Sequence, residues 1–255
     1  MDIEGRTAMV TGAGAGIGRT IALRLAAKKA AVVVVDVDGV AARRTVEAVA
    51  DAGGRASAVV ADLTRPRDVE RVVATATAAD GRLDILVNNA GGYASPVYPE
   101  ASARHWQRVL DLNLRAPMLA IQAALPALER DGGGAVVNIA SSAGVGLDPH
   151  PGPEYAAAKA GVIRLTACLG PLGERGVRVN CVCPHTVATE AVLRAITGHT
   201  ARGEPLPLDL QGELIDPAEV ARVAVELIQA DGMAGRVIAL HGGRPPRLLH
   251  GRAGR

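Results

Sequence analysis

The 255-residue chain has no phenylalanine, three tyrosines and one tryptophan. So few aromatics leave no stacking platform of the kind that holds single-stranded nucleic acid, and a formal net charge of +2 gives no strong footprint for a polyanion. Nucleic acid is therefore not an expected partner. Long apolar runs are also missing. Stretches such as residues 30–35 fall far short of the roughly 18 residues a membrane span needs, and the acidic residues 2–4 are unlike a signal peptide. The expectation is a soluble cytoplasmic protein with no membrane partner. Three cysteines are too few for a disulfide scaffold, and no metal site is expected from them. Cys181 and Cys183 are read as buried small hydrophobes on a strand, with their thiols expected on opposite faces.

Lysine is scarce too: Lys28, Lys29 and Lys159 are the only three among 28 basic residues. An individual Lys or Tyr is thus informative. What is abundant is apolar material, at 49% of residues, enough to build one large core.

Short β-branched runs alternate along the chain with Ala/Leu/Arg-rich stretches of helical period, the rhythm of a parallel sheet covered on both faces. Strands are predicted near 7–11, 31–36, 56–61, 83–88, 135–140, 177–183 and 236–240. Helices are predicted near 16–29, 39–52, 66–80, 102–129, 154–174 and 217–230. Pro66 sits just inside the third helix and Asp216-Pro217 opens the last, both start signals. No linker divides residues 1–243, which read as a single α/β domain. Residues 190–215, rich in Pro and Gly, interrupt the alternation and are a candidate substrate lid. Residues 244–255 carry four arginines and no acid, a basic tail expected to fray at its end.

Directly after the first predicted strand comes Thr11-Gly12-Ala13-Gly14-Ala15-Gly16-Ile17-Gly18, followed by helix. Strand, glycine turn and helix in this order let a pyrophosphate approach the main chain and meet the positive end of the helix. A P-loop would need glycine at position 13 and lysine at position 19, where Ala13 and Arg19 stand. The second strand ends in Asp36, about 20 residues beyond the turn, where a carboxylate can accept from both hydroxyls of an adenosine ribose and repel a 2′-phosphate. Val37 and Asp38 follow, with no base. NAD(H) is therefore favoured over NADP(H), unless residues 36–39 are merely a polar turn. Together these signals predict a Rossmann-type, doubly wound parallel sheet of about seven strands with helices on both faces.

Tyr155 and Lys159 stand four residues apart on a predicted helix, and so share one face. A phenol titrates near ~10 and is a poor base at neutral pH; a neighbouring cation favours its phenolate.

These features make the sequence resemble the short-chain dehydrogenase/reductase family in its classical form, over about residues 5–243. The resemblance rests on the T-G-x-x-x-G-x-G turn at residues 11–18, Asn88-Asn89-Ala90-Gly91 after the fourth strand, Asn113 in a helix, Asn138-Ile-Ala-Ser141-Ser142-Ala-Gly144, and Tyr155-x-x-x-Lys159. It implies a homotetramer or homodimer that interconverts a small-molecule alcohol and ketone. Tyr155 would be the general acid/base, Ser141 would orient the reacting oxygen, Lys159 would bind ribose and lower the phenol pKa, and Asn113 would hold a proton-relaying water. Ser142 is the alternative to Ser141, because the interval to Tyr155 is one residue longer than usual for the family. For Asn113 a structural cap is the alternative.

Cofactor contacts are implied at Gly12, Gly16, Ile17, Gly18, Asp36, Asp62, Leu63, Asn89, Ala90, Gly91, Tyr155, Lys159, Val187 and Thr189. Two departures stand out: His185 replaces the usual glycine after Pro184, and Gly170-Pro171 falls at the end of the catalytic helix. An NADPH-dependent carbonyl or acyl-thioester reductase, and a non-catalytic dinucleotide-binding protein, are the other readings.

Overall fold

The computed structural model describes residues 1–130, 132–146, 149–207 and 210–249. Its elements run β1 (Thr7–Thr11), α1 (Gly16–Ala27), β2 (Ala31–Asp36), α2 (Gly39–Asp51), β3 (Arg55–Val60), α3 (Pro66–Asp80), β4 (Ile85–Asn88), α4 (Ala103–Leu110), α5 (Ala116–Leu128) and β5 (Gly134–Ile139). They continue with α6 (Pro153–Cys168), β6 (Val177–Pro184), α7 (Glu190–Ala201), α8 (Pro217–Gln229), β7 (Val237–Leu240) and β8 (Arg247–Leu249).

Among the described residues the sheet has eight strands in the order β3-β2-β1-β4-β5-β6-β7-β8. All neighbours are parallel except β7 and β8. The central strands are apolar at nearly every position because both of their faces are covered. In β1, Ala8 and Val10 join a core cluster with α1 and α8, whereas Met9 between them joins a cluster with α3 and α5. Strand order reverses between β1 and β4, and the crevice left at such a reversal, beyond the carboxyl ends of the strands, is where open α/β sheets take ligands.

The α/β architecture matches the sequence expectation, with four differences. The strand count is eight, not about seven. Residues 247–249, inside the expected basic tail, pair antiparallel with β7; three residues are too few to carry a readable alternation, and pairing covers an edge that β7 would otherwise expose. The expectation of a frayed end at 250–255 lies outside the described residues. Residues 190–201 form α7, opened by the Thr189 hydroxyl accepting from the Val192 N–H at 3.3 Å.

Third, the helix predicted over 102–129 is α4 and α5 joined by a widened π turn, Asp111–Arg115. The helix predicted to 174 ends at Cys168 and passes into a tight turn, Gly170–Arg175, because proline cannot continue the α pattern. Fourth, Cys181 and Cys183 project to the same face, their Sγ atoms 3.7 Å apart, since side chains two apart on a strand point the same way. Both are buried. No helix among the described residues is long and apolar enough to cross a membrane.

Candidate active site

A cleft of about 1210 Å³ runs along the carboxyl edge of the sheet. It brings together Gly12, Gly16, Ile17, Asp36, Asp62, Leu63, Asn89, Ala90, Gly91, Ser141, Tyr155, Lys159, Val187 and Thr189, drawn from widely separated stretches of the sequence. Gly18 and Asn113 do not reach its wall.

The glycine turn is shaped by close approach. Gly12 has φ +61°, and a Cβ there would stand 2.8 Å from the Ala90 Cα. A Cβ on Gly18 would overlap the Gly12 carbonyl, so Gly18 serves the packing of α1 on the turn and not the cleft surface. Asn89 and Thr11 clamp the turn to the loop after β4. Asn89 Nδ2 donates to the carbonyls of Thr11 and Gly12 at 2.9 and 3.0 Å, while Thr11 Oγ1 accepts from the N–H groups of Asn89 and Ala90 at 3.0 Å each. Ala15, at the start of α1, offers no side-chain cap, so the first-turn N–H groups lack a side-chain acceptor. That end of the helix opens on the cleft through Gly16 and Ile17, a cradle suited to a phosphate.

Asp36 closes β2 with its carboxylate held at both oxygens: Oδ2 accepts from the Gly14 N–H at 2.8 Å and Oδ1 from the Asp38 N–H at 3.0 Å. Asp62 Oδ1 accepts from the Thr64 hydroxyl and N–H at 2.7 and 3.1 Å. The Thr64 hydroxyl is the largest influence holding the Asp62 carboxyl below its ordinary pKa, which keeps it ionised at neutral pH.

At the other end, α6 carries Tyr155 and Lys159 on one face. Lys159 is buried, donates from Nζ to the Ile139 carbonyl at 2.9 Å, and lies 5.6 Å from the centre of the Tyr155 ring. Burial lowers its pKa to about 8, so the ammonium persists at neutral pH. Ser141, in extended backbone at the end of β5, accepts from the Ala143 N–H at 3.2 Å. Ser142 also lines the cleft.

Asn113 stands behind the cleft wall. Placed by the π turn, it is fully buried: Oδ1 accepts from the Gly92 N–H at 2.9 Å, and Nδ2 donates to the Gly92 and Val109 carbonyls at 2.8 and 2.9 Å. Its amide is bonded to backbone on both sides, so the side chain braces the loop after β4, which is the cap alternative. Asn88 is structural as well, donating to Asn138 Oδ1 at 2.9 Å, with Asn138 in turn donating to the Thr166 hydroxyl at 3.0 Å.

The family model described as short chain dehydrogenase matches residues 6–197. The chain belongs to the short-chain dehydrogenase family. A cyclohexanol dehydrogenase of Acinetobacter sp. strain SE19 is 36% identical over 230 residues, covering 89% of this chain and 88% of that one. The structure of a 7α-hydroxysteroid dehydrogenase complexed with NADH and 7-oxo glycochenodeoxycholic acid superposes with TM-score 0.84 at 31% identity, covering 94% of each chain. A putative 2-deoxy-D-gluconate 3-dehydrogenase from Agrobacterium tumefaciens with bound NADP superposes with TM-score 0.80 at 34% identity, over 94% of this chain and 96% of that chain. The protein is thus an oxidoreductase of a nicotinamide-dinucleotide family.

This short-chain dehydrogenase has cleft residues that sequence reasoning did not name individually. Tyr93 and His150 surround the Tyr155 ring, with centroids 5.1 and 5.4 Å away, the imidazole stacked on the phenol. His241 and Arg247 line the cleft at its β7–β8 end. Their sequence signal was position alone, since His241 immediately follows a parallel strand at its carboxyl end, where such sheets bind ligands. Of the expected lid over 190–215, Glu190, Ala191, Val192, Arg194 and Leu210 line the cleft, and residues 208–209 lie outside the described residues.

Proposed function

We propose that the protein interconverts a secondary alcohol and a ketone with NAD(H). The observation that carries this reading is one continuous cleft holding the glycine turn and Asp36 at one end and Tyr155 with Lys159 at the other. The uncapped start of α1 would hold the pyrophosphate and Asp36 the adenosine ribose. Val187 and Thr189 would hold the nicotinamide end, and Asp62 and Leu63 the adenine. When bound, the dinucleotide supplies the hydride acceptor or donor.

The protein's own residues manage the proton and the geometry. Tyr155 removes the proton of the substrate hydroxyl in oxidation and returns it in reduction. Lys159, its ammonium retained at neutral pH, favours the phenolate form and binds the second ribose. Ser141 donates to the reacting oxygen, and its extended backbone at the mouth of β5 supports its choice over Ser142. Asn113 acts as a positioning residue for the loop after β4. Exposed apolar side chains on α4 and α5, Trp106 and Met118, suit a dimer or tetramer contact, testable by light scattering.

NADP(H) has one observation in its favour: the exposed Arg43 guanidinium lies over Gly39, just beyond Asp36. Titration with NADH and NADPH, followed by nicotinamide fluorescence, separates the two. The expected result is selective NADH binding that Asp36→Ala weakens about tenfold more than it weakens NADPH. A wild-type preference for NADPH, or equal losses in the variant, would refute the assignment to Asp36.

A further inference from the structure

Beyond the Tyr155 end, the cleft continues to the β6–β7–β8 edge, and its chemistry changes there. The register places the residues. Cys183 pairs with Ala239 in β6 and β7, and Ala239 pairs with Arg247 across β7 and β8. Paired residues in neighbouring strands share a face, as do residues two apart on one strand. His185 and His241 form the next rank on that face: the His185 N–H donates to the Leu240 carbonyl at 2.9 Å, and the two imidazoles lie 5.7 Å apart. The face is the one that α6 covers, since Cys183 and Val237 cluster with Val162 of that helix. Three basic side chains are therefore gathered on the side of the sheet that carries Tyr155, and all three line the cleft.

Arg247 takes part in none of the salt bridges among the described residues, and the His241 imidazole has no hydrogen-bond partner there. His185 Nδ1 is 3.1 Å from the Thr186 hydroxyl, which leaves Nε2 for a ligand. Glu213 sits against Gly243 and does not line the cleft, and Glu190, which does line it, lies 3.7 Å from Arg194. Burial first, then His185, Arg244 and Arg247, hold the His241 imidazole below its usual pKa.

We propose that His185, His241 and Arg247 form a carboxylate-recognising wall, so that the substrate is a hydroxy acid or keto acid whose carboxylate seats at the β7–β8 edge while its carbinol carbon faces Tyr155. A guanidinium fork with one or two imidazoles matches the two planar oxygens of a carboxylate. This inference rests on the dehydrogenase reading for the role of Tyr155, but the anion site stands on the β6–β8 register alone.

The test needs no turnover. Isothermal titration of the full-length protein compares cyclohexanecarboxylate, its neutral analogue cyclohexylmethanol, and inorganic phosphate. The expected result is carboxylate binding at least tenfold tighter than the alcohol, with Arg247→Ala and His241→Gln each bringing the two affinities closer. Circular dichroism checks that both variants are folded. Equal affinities in the wild type, binding of neither compound, or an undiminished preference in both variants would overturn the proposal. Phosphate binding tighter than that of the carboxylate and lost in Arg247→Ala would overturn the choice of carboxylate, since phosphate held at the start of α1 is indifferent to that variant. A protein that binds NADH but no carboxylate loses only the anion site; one that binds carboxylate but no dinucleotide loses only the dehydrogenase reading.

Discussion

Replacing Lys159 by Met should make the ligand-free protein more stable while destroying its activity. The ammonium is buried on α6 and, among the described residues, makes one hydrogen bond, to the Ile139 carbonyl, and meets no carboxylate. Its pKa falls from 10.5 to about 8 because burial penalises the charged form. At about 1.4 kcal/mol per pH unit this opposes folding by about 3 kcal/mol at pH 7. Methionine removes that penalty and keeps the bulk, at the cost of about 1 kcal/mol for the lost hydrogen bond, leaving a net gain of about 2 kcal/mol.

The sign sets the pH window. Above about 8 the folded protein releases this proton while the unfolded chain keeps it up to about 10.5, so wild-type stability from this group rises with pH across that interval. The advantage of Lys159→Met should be full at pH 7 and fade between about 8 and 10.5. Urea denaturation of both proteins at pH 7 and pH 9.5 measures it. A variant less stable than wild type at pH 7, or a difference independent of pH, would refute the reasoning.

Tyr155→Phe should reduce turnover by about 10²–10⁴-fold, the range for a lost general acid/base, with NADH affinity in fluorescence titration nearly unchanged; preserved turnover removes Tyr155 from its role. Ser141→Ala should lose far more activity than Ser142→Ala in parallel kinetic assays, and the reverse order would transfer the role to Ser142. Asn113→Ala breaks three hydrogen bonds, the one to Val109 buried and the two to Gly92 partly buried. It should cost about 3 kcal/mol in urea unfolding at roughly 1 kcal/mol each, and a loss below about 1 kcal/mol would show that the loop after β4 holds itself.

The nucleotide end of the site was legible in the sequence because its chemistry is local. Turn glycines, a carboxylate at a strand end and a Tyr–Lys pair one helical turn apart are each fixed by spacings that backbone geometry converts directly into position. The substrate end was legible only as a stretch, the lid over 190–215. Asn113 reads equally as a ligand residue or a cap until the π turn buries its amide. His241 and Arg247 are six residues apart, and only the antiparallel return of β8 onto β7 puts them on one face.

By itself, then, the sequence determined the alternation of strands and helices, the strands buried on both faces, and the identity of the residues able to hold a dinucleotide and move a proton, since these depend on propensity, periodicity and short-range spacing. Tertiary structure alone decided that Lys159 is buried, that the Asn113 amide is buried against the loop after β4, and that three basic side chains converge at the far edge. Burial, and pairing between distant segments, are properties of the packed sheet and have no counterpart in a local stretch of chain.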